Sequence, residues 1–143
     1  MKKKRIKVLA LLCGLTLMSG MGVSAAESVA PRQSGNFYQY HIDRFQKNNY
    51  LPGARKVTDN QYVSFKATKI DVTERLEVWS ATASQTQISE NYYINKSDCP
   101  MDEAKDMTFT TTTLNSGSTA TAGWQNANWS GNTGKVDGWV NYQ

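Results

Sequence analysis

Trp124, Trp129 and Trp139 stand close together near the end of the chain, in GWQNANWSGNTGKVDGWVNYQ, set among asparagines, glycines and one glutamine. Flat indole rings beside amide donors and acceptors are the surface a sugar requires. Apolar C–H patches stack on the ring while hydroxyls meet the side-chain amides. Trp124, Trp129, Trp139, Asn126 and Asn141 are therefore the candidate ligand-binding residues. Packing is the competing use and the commoner one. A buried tryptophan removes 150–250 Å² from water, about 4–6 kcal/mol as an upper figure. The chain after its first 26 residues has only Leu51, Leu76 and Leu114 as leucines, so its aromatics are the obvious large side chains for a core.

Other chemistry is sparsely represented. His41 is the only histidine, and no H-E-x-x-H, G-x-S-x-G or phosphate-cradling glycine loop accompanies it. A solvent-facing histidine is the reading that follows, and the chain is expected not to be an enzyme. Carboxylates gather at Asp98, Asp102, Glu103 and Asp106. The alternating acids and central glycine of a calcium loop are missing, so a solvated helix start is expected there, with no metal and no cofactor. Cys99 is the one cysteine after the opening segment. It is read either as a half-buried thiol or as the bridge of a disulfide-linked dimer.

The opening segment places the protein. MKKKRIK is basic, Val8 to Val23 is uncharged and apolar, and Ser24-Ala25-Ala26 suits a signal peptidase. This order reads as a secretory signal peptide over residues 1–26. The apolar run is shorter than the ~20 residues of a membrane span, and no later stretch approaches one. Cys13 lies inside that run after Leu12, which does not suit a lipobox. The whole chain carries 16 basic and 12 acidic residues. Five of the basic ones lie in the first seven positions, so the processed chain is left with a charge of −1. Near neutrality, with no long basic run, it is not expected to bind nucleic acid.

The elements that must position these side chains are strands. Threonine, tyrosine and valine are plentiful and turn residues recur at short intervals. A flexible lead-in over 27–36 precedes one domain over 37–143, expected as an all-β, single antiparallel β-sandwich of about seven strands. FYQYHIDRF alternates, with Tyr38, Tyr40 and Ile42 on one face. Residues 47–61 read as a loop with a type II turn at Pro52-Gly53. YVSFKATKI puts Val63, Phe65 and Ala67 together, and RLEVWSATA sets Leu76 and Val78 opposite Glu77 and Trp79. QISENYYIN, MTFTTTTL, TATAGWQNANW and KVDGWVNYQ supply the rest. Asp98 and Pro100 suggest one short helix near residues 99–106.

The last two strands are expected to form a hairpin closed at Gly131-Asn132 by a II′ turn. That register makes Trp124 and Trp139 direct cross-strand neighbours. One face then holds Gly123, Ala127, Val136, Gly138 and Val140. The other holds Trp124, Asn126, Asn128, Lys135, Asp137, Trp139 and Asn141. A four-residue loop over 131–134 makes the tryptophan pair diagonal instead. Trp129 lies beside the turn in both cases and is the ring most expected in water.

The lysine-rich opening, the run KATKIDVTERLEVWSA and the ending STATAGWQNANWSG together resemble a family of small secreted β-proteins of Gram-positive bacteria, a domain of unknown function. The resemblance implies a secreted β-sandwich and brings no catalytic residues with it. The expected function is a secreted, non-enzymatic binding module that recognises cell-envelope or other glycans through exposed aromatics. The alternative is a bacteriocin-like effector or a protein–protein interaction or inhibitor module, with a surface protein as partner and either a monomer or a Cys99-linked dimer as its form.

Overall fold

The computed structural model describes residues 34–71 and 73–143, so the expected signal peptide and most of the lead-in lie outside the described residues. The strands are β1 (Ser34–Ile42), β2 (Asn49–Tyr50), β3 (Ala54–Arg55), β4 (Tyr62–Asp71), β5 (Arg75–Thr82), β6 (Tyr92–Asn95), β7 (Lys105–Thr108), β8 (Thr119–Asn126) and β9 (Gly134–Asn141). One antiparallel sheet has the order β1-β9-β4-β7. The other has β2-β8-β5-β6, with β3 also pairing β8. The two sheets pack face to face as a β-sandwich, as the alternation of apolar residues requires.

The core lies between the sheets. Val63, Phe65 and Ala67 of β4, Leu76 and Val78 of β5, and Val136 of β9 are all at 0% exposure. Ile88, Ile94, Met107 and Phe109 join them, on the faces their alternation gives. Glu77 and Trp79 of β5 lie on the opposite face yet are also buried. Trp79 covers Gly123 of the paired strand, and the Tyr50 ring meets it edge-on at 6.0 Å. A Cβ at Gly123 would fall 2.5 Å from the Trp79 indole nitrogen. The Glu77 carboxylate is held by Asn91, Tyr93 and Gln125.

Several expectations are corrected. Strand β1 begins at Ser34, inside the supposed lead-in. Its register breaks between Phe37 and Tyr40, where Tyr38 and Gln39 oppose Asp137 alone. This bulge turns Phe37 inward and leaves Tyr38 67% exposed, against the simple alternation. Residues 47–61 hold the two-residue strands β2 and β3. Gly53 is not in the positive-φ conformation a type II turn requires. It is needed for close approach instead, since a Cβ there would lie 2.8 Å from Thr119 Cγ2. The short helix at 99–106 is absent. One 3-10 turn spans Lys96–Asp98, and the chain then runs extended, because the Met101 amide bonds the Ala67 carbonyl at 3.1 Å and Lys105 pairs with Phe65.

The largest correction concerns the hairpin. Strands β8 and β9 belong to different sheets, and residues 127–133 cross from one to the other. Gly131 is not in the positive-φ region of a II′ turn. The crossing lets Trp124 enter the core at 0% exposure, where it stacks on Phe37 at 6.2 Å and meets Tyr40 edge-on at 5.9 Å. A hairpin would have set the same ring on an outer face and lost that burial.

Candidate functional site

The five candidate residues divide by location. Trp124 is a core residue. Asn126 is buried as well, and its side-chain oxygen accepts from Thr73 Oγ1 at 2.6 Å and from the Asn128 amide at 2.9 Å. These two bonds fix the start of the crossing segment, so Trp124 and Asn126 are held by packing and backbone satisfaction. Trp129, Trp139 and Asn141 face away from the core.

Trp129 is 73% exposed, the most exposed large hydrophobic side chain among the described residues. It meets Phe45, itself 46% exposed, at a centroid distance of 5.3 Å with the rings inclined by 41°. Two loops build this pair. The first leaves β1 after Ile42, and the second is the crossing segment before β9. The Phe45 amide donates to the Ser130 carbonyl at 2.8 Å, and Gln46 Nε2 donates to the Ala127 carbonyl at 3.2 Å. Phe45 and Gln46 have φ of 58° and 55°. Consecutive non-glycine residues in the left-handed region cost roughly 1–2 kcal/mol each. Such strain persists only where surrounding bonds impose it, and it concentrates at functional positions. The Arg44 guanidinium lies 5.5 Å from the Phe45 ring centroid. Gly131 leaves room beside that ring, where a Cβ would sit at 3.8 Å.

Trp139 occupies a second position, on the outer face of the β1-β9-β4-β7 sheet. Asn36 of β1 and Lys66 of β4 are its direct cross-strand neighbours. The ring is half-buried, and with Asn36, Lys66, Thr68, Asp102 and Ala104 it lines a shallow depression of about 460 Å³. Lys66 Nζ donates to the Asp102 carbonyl at 2.8 Å. Asn141, two residues on, shares this face. Asn141 is nonetheless buried, at 9% exposure, and its side-chain oxygen has no donor among the described residues.

A groove of about 420 Å³ opens between the sheet edges, lined by Phe37, Tyr40, Leu51, Val140 and Tyr142 among others. Its buried hydroxyl, that of Tyr142, already donates to the Pro52 carbonyl at 3.3 Å. Burial pushes the Tyr142 hydroxyl far above the usual phenol value.

His41 is exposed on β1, as expected. The four carboxylates of 98–106 disperse. Asp98 accepts from the amide and side chain of Asn95, while Asp106 accepts from Ser64 Oγ at 2.6 Å. Cys99 is a half-buried free thiol, pushed up by burial and then by Asp98. Sequence reasoning missed Phe45, which it placed at the end of a strand. The signal was an aromatic residue directly before the polar run Gln46-Lys47-Asn48-Asn49, which takes the chain out of the sheet. No family model, curated protein or solved structure matches this chain, and its own geometry is the sole basis for reading the site.

Proposed function

We propose that the protein is a secreted, non-enzymatic binding module that recognises glycans through aromatic side chains held outside its core. Secretion rests on the basic, apolar and small-residue order of the opening segment. The observation that carries the binding reading is the Phe45–Trp129 pair. A folding chain gains by burying such rings, yet here strained backbone keeps two of them in contact with each other and with solvent. Inclined rings with the Arg44 guanidinium beside Phe45, and with Asn128 next to Trp129 in the chain, suit a sugar, whose C–H face stacks on an indole while its hydroxyls meet a guanidinium and amides. The test is tryptophan emission during titration with bacterial cell-wall polysaccharide and other soluble glycans. A saturable shift that disappears in Trp129→Ala supports the reading, and the absence of any shift across the glycans refutes it.

A further inference from the structure

The Phe45–Trp129 pair lies beyond the end of the β1–β9 ribbon at which Ile42 pairs with Gly134. Lys135, Asp137, Trp139 and Asn141 alternate with the inward residues Val136, Gly138 and Val140 along β9, so they share its outer face. Tyr38, 67% exposed, stands on the bulge beside Asp137. From Gly134 to Trp139 the strand advances ~17 Å at ~3.3 Å per residue. Exposed or half-exposed aromatics thus recur at the tip, at the bulge and in the Trp139 depression, too far apart for one sugar ring to touch them all.

The groups between them are polar and of both signs. Lys135 Nζ donates to Gln39 Oε1 at 2.8 Å, and the Gln39 amide donates to Asp137 Oδ1 at 2.6 Å. Lys66 is engaged with the Asp102 carbonyl, and Asp71 is paired in register with Lys135. Interleaved charges of this kind create no single-sign field to draw a polyanion. They offer donors and acceptors to hydroxyl groups.

We infer that the outer face of the β1–β9 ribbon is the track for a neutral polysaccharide chain, with Trp139 as a second stacking station, Tyr38 between the two, and Phe45–Trp129 at the end. This deepens the glycan reading and rests on it. The ligand class becomes a polymer, because two stations on one rigid ribbon reward a chain that reaches both through effective concentration.

The test uses cellulose, chitin and mannan, each compared with its own disaccharide and longer oligosaccharides. The expected result is that at least one polymer binds about tenfold or more tightly than its disaccharide. Trp139→Ala lowers polymer affinity by about tenfold while leaving disaccharide affinity within about twofold. Tyr38→Ala, which removes an exposed ring that is not part of the core, weakens polymer binding in the same direction, and this keeps the test valid should Trp139→Ala fold poorly. Binding changes little with added salt, as a neutral ligand requires. Equal affinity for disaccharide and polymer, or polymer binding indifferent to both Trp139→Ala and Tyr38→Ala, overturns the track. Collapse of binding with salt also overturns it in favour of an anionic partner. These outcomes leave the glycan reading standing wherever Trp129→Ala still abolishes binding. Failure of all three polymers and their oligosaccharides to bind removes the track, and the glycan reading falls with it only where bacterial cell-wall polysaccharide also leaves the tryptophan emission unchanged.

Discussion

The indole nitrogen of Trp124 donates to the backbone carbonyl of His41 at 2.9 Å, a bond that joins β8 of one sheet to β1 of the other across the core. It satisfies the ring's only polar atom and directs a candidate ligand-binding residue to packing. Trp124→Ala is expected to destabilise the fold by about 3–5 kcal/mol. Trp124→Phe keeps much of the volume but leaves the His41 carbonyl without its donor, at about 1–3 kcal/mol. Urea unfolding, read as a fall in midpoint at unchanged slope, checks both.

Gly138 and Gly35 make a matched pair of tests on the β1–β9 ribbon. A Cβ at Gly138 would sit 2.2 Å from the Lys66 carbonyl oxygen and 2.6 Å from Phe37 Cζ, whereas one at Gly35 meets nothing within 4 Å. Gly138→Ala is expected to cost about 3 kcal/mol or prevent folding. Gly35→Ala should be neutral or stabilising by several tenths of a kcal/mol. Equal thermal midpoints for the two variants would show that β9 is not clamped between β1 and β4 as described.

At Phe45, backbone strain and ring can be separated. Phe45→Ala and Phe45→Gly both remove the ring, but only glycine accepts φ of 58° without penalty. The glycine variant should therefore be more stable than the alanine variant by about 1 kcal/mol, the reverse of their usual order in strands. Both should lose glycan binding. Chemical denaturation of the two proteins side by side measures the difference.

The buried hydroxyl of Tyr142 gives an alkaline signature. Its folded pKa lies above the unfolded value near 10 because burial disfavours the phenolate. Above that value the unfolded chain releases a proton that the folded chain retains, and stability falls as pH rises. The stability associated with this tyrosine is fully present below about pH 10 and declines above it by up to about 1.4 kcal/mol per pH unit. Tyr142→Phe should flatten the alkaline limb of a stability-against-pH curve.

Much of the sandwich was legible in the sequence. Alternation put Val63, Phe65 and Ala67 on one face, which is the core face, and the division of β9 into Val136 and Val140 against Trp139 and Asn141 holds even though the hairpin register it came with does not. Alternation tells a strand's faces but not its neighbour. Gly131-Asn132 looked like a local hairpin turn, while the actual partners of β8 and β9 lie far away in sequence, and this moved Trp124 and Asn126 from outer face to interior. The bulge at Tyr38-Gln39 is invisible to a period of two, because one extra residue shifts every later position to the opposite face. The polar run after Phe45 marks where the strand stops, but the ring's exposure comes from left-handed backbone held by Ser130 and Ala127, contacts that no local pattern encodes.

The most direct measurement is the glycan affinity of Trp129→Ala beside that of the wild-type chain, followed by emission and by binding to immobilised polysaccharide. Trp129 is exposed enough that its loss should change stability by less than about 0.5 kcal/mol, so a binding effect cannot be blamed on unfolding. A folded Trp129→Ala protein that binds about tenfold more weakly or not at all is the expected result. A variant that binds glycan as tightly as the wild type contradicts the account.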